Sequence, residues 1–257
     1  MKKDSVLKTF LVAAALCVFC SILVSTSAVM LKPLQEANRK NDIKKNLLMA
    51  CKLLDDPNIS SEQLEKIYSE RVTAKVVNIE TGEYDSRDAE SFDAVKAAKA
   101  PATSIQIPSS KDIARIKRRG KFVKIFLVDH PTSGKLIVLP AHGKGLWSTL
   151  WGFLAIGEDL KTIRGFGFYQ HGETPGLGGE VDNLAWKKSW EGKQALDDAL
   201  NPIVKVIKGR AKSDSTTEID GLSGATLTSK GVSNLIHYWL GEHGFGAYLA
   251  NLKRTGL

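Results

Sequence analysis

Three hydroxyl side chains crowd one short stretch of this sequence, Asp220-Gly221-Leu222-Ser223-Gly224-Ala225-Thr226-Leu227-Thr228. Just beyond it, Val232, Leu235, Ile236, Trp239 and Leu240 recur at i, i+3, i+4, i+7 and i+8, the apolar stripe of a packed helix. That spacing puts Thr226 or Thr228 near a helix N-terminus. The first N–H groups of a helix have no partner within it, and its dipole is positive there, so a phosphate or phosphoester is one chemistry the stretch can hold. Gly221 and Gly224 let the backbone approach a ligand closely. Ordinary helix capping by Ser and Thr gives the same pattern, and on these residues alone both readings stand. A serine hydrolase is a third reading. Gly221-Leu222-Ser223-Gly224-Ala225 nearly matches a nucleophile elbow, but Ala225 holds the place of the last glycine and no order of Asp and His is compelling.

Two further glycine-rich blocks precede this one: His142-Gly143-Lys144-Gly145-Leu146-Trp147 and Glu173-Thr174-Pro175-Gly176-Leu177-Gly178-Gly179-Glu180. Neither is a dinucleotide fingerprint, and Ser133-Gly134-Lys135 lacks the rest of a phosphate loop. The five histidines show no metal-ligand spacing and read as surface or loop residues. Glu173 and Glu180 bracket the glycine loop without forming a recognisable catalytic carboxylate pair.

Other parts of the chain must position these blocks. Thr9 to Leu31 is 23 residues without a charge, bracketed by Lys8 and Lys32. As a helix it would span roughly 34 Å, enough to cross a hydrocarbon core of about 30 Å. It is longer than the apolar part of a cleaved signal peptide, so a retained single-pass anchor is expected. Cys17 and Cys20 fall inside it as small apolar residues, and with only Cys51 beyond, the rest of the chain is no disulfide scaffold. The net charge of +8 is dispersed among 28 acidic residues with no nucleic-acid-binding motif, so no nucleic acid is expected as a partner. Lysines on both sides of the span leave its orientation open on charge alone.

Beyond the anchor, Leu34 to Leu54 reads as a charged helix, broken at Asp55-Asp56-Pro57-Asn58, and a second helix opens at Ser60-Ser61. Val72 to Ile79 reads as a strand that turns at Thr81-Gly82. Residues 86–100 read as helix and 101–111 as loop. Phe122–Val128 and Leu136–Leu139 read as a hairpin turned at 131–134. Stretches 152–157, 162–169 and 203–207 are strand-like. The expected organisation is a tail at 1–8, an anchor at 9–31, a helical linker at 32–70 and a soluble domain at 71–257. The expected fold class is α+β, a single N-terminal transmembrane helix followed by a mixed α/β domain.

The Asp220 to Thr226 stretch resembles the flavinylation motif of the FMN-binding domains in sodium-translocating NADH:quinone reductases (Nqr) and the related Rnf complexes. In order along the chain, the N-terminal span, Gly145-Leu146-Trp147, the block 173–180, Ser223 to Ser229 and Gly244-Phe245-Gly246 resemble the NqrC type of subunit in the sodium-translocating enzymes more than the RnfG type. The resemblance implies FMN joined by a flavin transferase, as a phosphoester, to Thr226. It implies relay of electrons from NADH toward ubiquinone, coupled to sodium export, among other subunits of a complex in the bacterial inner membrane. It also implies a periplasmic soluble domain. Ser223, Gly224, Ala225 and Thr228 would then surround the attachment point. Thr174 would offer a hydroxyl, Leu177 and Gly178 a surface for the isoalloxazine, Trp147 a stacking face, and Lys208 a charge toward the phosphate or ribityl chain. A core aromatic for Trp147 and a solvated lysine for Lys208 are the plain alternatives. With one span and no dinucleotide fingerprint, the chain alone is expected neither to oxidise NADH nor to pump sodium.

Overall fold

A computed structural model describes residues 5–54 and 58–257. Most of the expected break, Asp55-Asp56-Pro57, and the first four residues of the tail lie outside that range. The chain divides into two units, 1–43 and 44–257.

The first unit is helical. The helix α1 is assigned Val6–Ala50, with Pro33 inside it, so the span and the charged segment after it form one element rather than two. It contains an 18-residue window of mean hydropathy 2.4, none of it buried. The last turns of α1 belong to the second unit, where Leu47 and Leu48 are fully buried. The helix stops four residues before Leu54 because Lys52 adopts a left-handed conformation (φ 57°). Leu53 N–H then bonds Leu48 O and Lys52 N–H bonds Met49 O, which satisfies two of the terminal carbonyls.

In the second unit, α2 (Ser61–Arg71) begins with a capping box. The Ser60 hydroxyl accepts from Gln63 N–H, and the Gln63 side chain accepts from Ser60 N–H. The chain continues through β1 (Val72–Asn78), β2 (Tyr84–Asp85), α3 (Ala94–Lys99), β3 (Ser104–Gln106), β4 (Arg118–Gly120), β5 (Phe122–His130), β6 (Gly134–Lys144), β7 (Thr149–Ile156) and β8 (Ile163–Gln170). It ends with α4 (Leu184–Lys188), β9 (Lys205–Val206), β10 (Glu218–Ile219), α5 (Thr226–Leu240) and α6 (Gly246–Thr255). Strands β2-β1-β5-β6-β7-β8 form one six-stranded antiparallel sheet. The mixed α+β class is as expected, and the hairpin of β5 and β6 closes with His130 opposite Gly134.

Two segments differ from expectation. Helix covers only Ala94–Lys99 of residues 86–100. The Asp88 carboxylate accepts from the N–H groups of Glu90 and Ser91 and holds a turn there, and Asp93 caps α3 through Lys96 N–H. Such local side-chain bonds compete with a helix that alanine content alone would favour. The segment 101–111 opens with a 3₁₀ turn at Pro101–Thr103 and then contributes β3, which pairs with β4.

Helix α5 lies on the sheet. Val232, Leu235, Ile236, Trp239 and Leu240 are all buried in one core with Leu139, Ala141 and Leu150. Gly231 lets it sit close, since a Cβ there would lie 2.5 Å from Lys144 O. At the far end, Trp239 Nε1 donates to His142 O at 2.7 Å. The helix is thereby fixed along β6, with its N-terminus toward the turn between β6 and β7.

Candidate functional site

The three glycine-rich blocks meet at one buried carboxylate. Glu173 is 5% exposed. Its Oε1 accepts from Trp147 N–H (3.0 Å), Ser148 N–H (3.0 Å) and the Ser148 hydroxyl (3.2 Å). Its Oε2 accepts from Leu146 N–H (3.2 Å) and the Thr228 hydroxyl (2.7 Å). Burial alone would raise the Glu173 carboxyl, but the bonds from Thr228, Ser148, Trp147 and Leu146 outweigh it and hold the group below its ordinary value. A carboxylate can be buried at this cost only because its acceptor capacity is used.

Glycines make room for it. A Cβ on Gly145 would lie 2.7 Å from Glu173 Oε1, and one on Gly178 would lie 2.6 Å from Thr228 Oγ1 and 2.8 Å from Glu173 Oε2. His171 steadies the loop from the other side. Its Nδ1 accepts from Glu173 N–H, and its Nε2 lies 2.7 Å from Asp182 Oδ2, so the neutral ring carries its proton on Nε2. Burial alone would raise the Asp182 carboxyl, but the His171 bond and the Lys187 ammonium, 3.0 Å away, hold it low.

Thr226 and Thr228, equals by sequence, are placed differently. Thr228 is fully buried and its hydroxyl is committed to Glu173. Thr226 is the first residue of α5, and its side chain is exposed. Ala225 precedes it at the cap position with no side-chain cap bond, so the helix start keeps its unpaired N–H groups. The buried Ala225 and the exposed Ser223 and Gly224 lead into it, with Gly224 at φ 69°.

A cleft of about 250 Å³ opens beside Thr226. Lys208 lines it, together with Lys205, Lys230, Ser229 and Ser233. Lys208 reaches it from the parallel pair β9–β10, where Ile207 N–H continues the pairing onto Ile219 O. Ser229 accepts from Leu222 N–H through its hydroxyl, and Ser233 accepts from Val206 N–H, so both brace the loops that form the walls. Residue patterning did not single out Lys205, Ser229, Lys230 or Ser233 for this role. The last three lie at helical spacing from Thr226, a polar stripe that a face-by-face reading of α5 exposes.

Trp147, Thr174 and Leu177 do not line this cleft. Trp147 is 67% exposed, which removes the core-aromatic alternative. Thr174 is exposed, and its carbonyl accepts from Leu177 and Gly179 N–H. Leu177 is 45% exposed and borders Gly224, where a Cβ would lie 2.9 Å from Leu177 Cδ2. Leu146 and Leu227 are also exposed. Exposed apolar side chains thus sit on each of the three segments tied by Glu173. The described residues hold no group of three or more potential metal ligands.

Residues 145–241 match the FMN-binding domain family. Across 258 aligned residues the chain is 48% identical to the NqrC subunit of the Na(+)-translocating NADH-quinone reductase of Pseudomonas aeruginosa, covering 98% of both chains. It is 41% identical over 256 residues to the NqrC subunit of Yersinia pestis, covering 99% of this chain and 96% of that one. Among solved structures, the crystal structure of Shewanella oneidensis NqrC matches with a TM-score of 0.78 at 34% identity, covering 85% of this chain and 100% of that one. The crystal structure of the same subunit from Parabacteroides distasonis matches with a TM-score of 0.66 at 29% identity, over 85% of this chain and 96% of that one.

Proposed function

The chain belongs to the NqrC family of the Na(+)-translocating NADH-quinone reductases, and from that premise we propose that it holds its FMN as a phosphoester on Thr226. As a member of that family it serves electron transfer from NADH toward quinone coupled to sodium export, and the full-length relatives favour this over an RnfG-type role.

The observation that carries the attachment point is an exposed hydroxyl on the first residue of a 15-residue helix whose start has no side-chain cap. The residues around it suit the group. Free N–H groups at the α5 start can bond phosphate oxygens, and Lys205, Lys208 and Lys230 line the adjoining cleft with positive charge. FMN, when bound, supplies the redox chemistry, and the protein's share is placement and electrostatics. Leu177 and Leu227, with Trp147 on the neighbouring loop, offer apolar surface for a flat ring beyond the phosphate. Glu173 keeps the three loops in register, so that the hydroxyl and the apolar surface stay in fixed relation. A flavin transferase would form the ester, since among the described residues no side chain is hydrogen-bonded to the Thr226 hydroxyl to activate it.

The test is mass spectrometry of the full-length chain co-expressed with a flavin transferase. An adduct of FMN mass is expected on the peptide holding Thr226, with in-gel fluorescence that survives denaturation and a colourless chain when the transferase is omitted. An unmodified Thr226 peptide from mature protein in its native membrane defeats the reading.

The apolar stretch of α1 anchors the chain in a membrane. We place it in the bacterial inner membrane, single-pass, with residues 44–257 on the periplasmic side and in contact with the other subunits of the complex. Lysines follow the span as well as precede it, but the positive-inside rule weakens for a long translocated domain. Protease added to intact spheroplasts should digest the domain. Protection until the membrane is breached would reverse the orientation.

A further inference from the structure

On the sheet, away from Thr226, lies a groove of about 570 Å³ that shares no lining residue with the Thr226 cleft. Its volume falls within the usual range for small-molecule sites. His142, Trp151, Tyr169 and Trp239 contribute its aromatic surfaces. The His142 and Trp151 rings stack at 4.2 Å with an interplanar angle of 14°, and Trp239 tilts against His142 at 4.9 Å, so the aromatic side of the groove is preordered. Burial pushes His142 down to about 4, so this wall is uncharged at neutral pH. Opposite, α3 presents the small apolar side chains of Ala94, Val95 and Ala98.

The rim is cationic. Lys99, Arg115, Lys117 and Arg118 all line the groove, and none forms an ion pair with a carboxylate among the described residues. Two of them carry a further mark. Arg115 (φ 55°) and Lys117 (φ 61°) are non-glycine residues in the left-handed region, where a side chain is held at a cost. The Asp112 carboxylate locks that conformation by accepting from the N–H groups of Ile116 (2.9 Å) and Lys117 (2.8 Å). Glycine would satisfy this backbone without strain, yet both positions hold cations at the mouth of an aromatic groove.

We infer that this groove is a second ligand site, independent of the attached FMN, for a planar aromatic molecule that bears a phosphate or another strong anion. Trp151, whose ring contact among the described residues is with His142, takes the ring, and the guanidinium and ammonium groups take the charge. Neither half suffices alone, since Lys99, Arg115 and Lys117 are exposed and screened, the half-buried Arg118 already donates through Nε to Ser104 Oγ, and the apolar wall has no polarity to orient a neutral ring.

The probe is 1-naphthyl phosphate, titrated calorimetrically into the full-length flavinylated chain, with 1-naphthol and inorganic phosphate as half-ligand controls. Saturable one-to-one binding is expected for the intact probe, much weaker binding for either control, and loss of affinity with added salt. Arg115→Gly with Lys117→Gly keeps the backbone conformation and removes two charges. It should weaken binding about tenfold or more, as expected when two charge-assisted bonds are lost, while the thermal midpoint holds or rises. Lys99→Gln, on α3 and outside that loop, should weaken it in the same direction. Affinity should be the same with and without flavin transferase co-expression. The inference is overturned if the probe does not saturate, if inorganic phosphate binds as tightly, or if both sets of variants bind as wild type. It is also overturned if binding appears only in the flavin-free chain, which would put the probe in the Thr226 cleft.

Discussion

Thr226→Ala, co-expressed with a flavin transferase, is expected to drop covalent flavin from stoichiometric to undetectable while leaving the fold intact. The side chain is exposed and makes no hydrogen bond to another side chain among the described residues, so the stability change should stay within about 0.5 kcal/mol. Thr228→Ala makes the contrast. Its hydroxyl is buried and bonded to Glu173 at 2.7 Å, so its loss should cost about 1–3 kcal/mol without removing the attachment oxygen. In-gel fluorescence after denaturation, read beside thermal melts, separates the two threonines. Adduct retained in Thr226→Ala and lost in Thr228→Ala would exchange their roles.

The largest stability effect is expected at Glu173. Alanine there would leave three backbone N–H groups and two hydroxyls without their acceptor in a closed site. The expected cost is about 3–5 kcal/mol, by analogy with breaking a buried charged network. For a domain of this size that corresponds to a fall of roughly 10 °C in the melting midpoint. Flavin loading should fall as well, because the segments bearing Trp147, Leu177 and Thr226 lose their common tie. Glu173→Gln keeps the shape but turns an amide N–H₂ toward donors, and should cost about 2 kcal/mol. The carboxyl is held below its ordinary value in the fold, despite burial, by bonds led by that from Thr228. Its contribution is therefore complete above the unfolded value of about 4.3 and is lost as the pH falls through the lower folded value. The gap in stability between wild type and Glu173→Gln should be constant near neutrality and shrink below about pH 4. A gap that stays flat into strong acid would mean the ionised carboxylate is not what binds the loops.

Much of this architecture is readable from residue order. The α5 stripe follows directly from apolar spacing at the helical period, because a helix that packs on a sheet must repeat its buried face. The β5–β6 hairpin follows from two apolar runs around Pro131 to Gly134. The helix expected across 86–100 shrinks to Ala94–Lys99 because Asp88 and Asp93 bond the backbone locally, a competition that composition does not reveal. The role of Glu173 is hidden for a different reason. Its partners are 25 to 27 and 55 positions away, and a lone Glu in a glycine loop gives no sign that distant N–H groups will converge on it. The wall of the second groove is hidden likewise, since Trp151 lies just outside the expected strand 152–157 and Tyr169 reads only as a strand residue until β7 and β8 pair. Thr226 stands out in the sequence and Lys208 only through the family resemblance, and the fold sets both on one cleft; β9 falls within the strand-like stretch 203–207, whereas its pairing with the two-residue β10 is not expected from the sequence.

The long separations at Glu173 also set an order of events during synthesis. The ribosome releases the 146–148 loop first, then Glu173, and Thr228 last, so on this ordering the Thr226 oxygen is not held in place until residue 228 has emerged. On the Thr226 reading, an enzyme that recognises the assembled turn would ignore nascent, truncated or misfolded copies. Yellow colour in a preparation would then count the molecules whose C-terminal region has docked, and serve as a built-in assay of successful biogenesis.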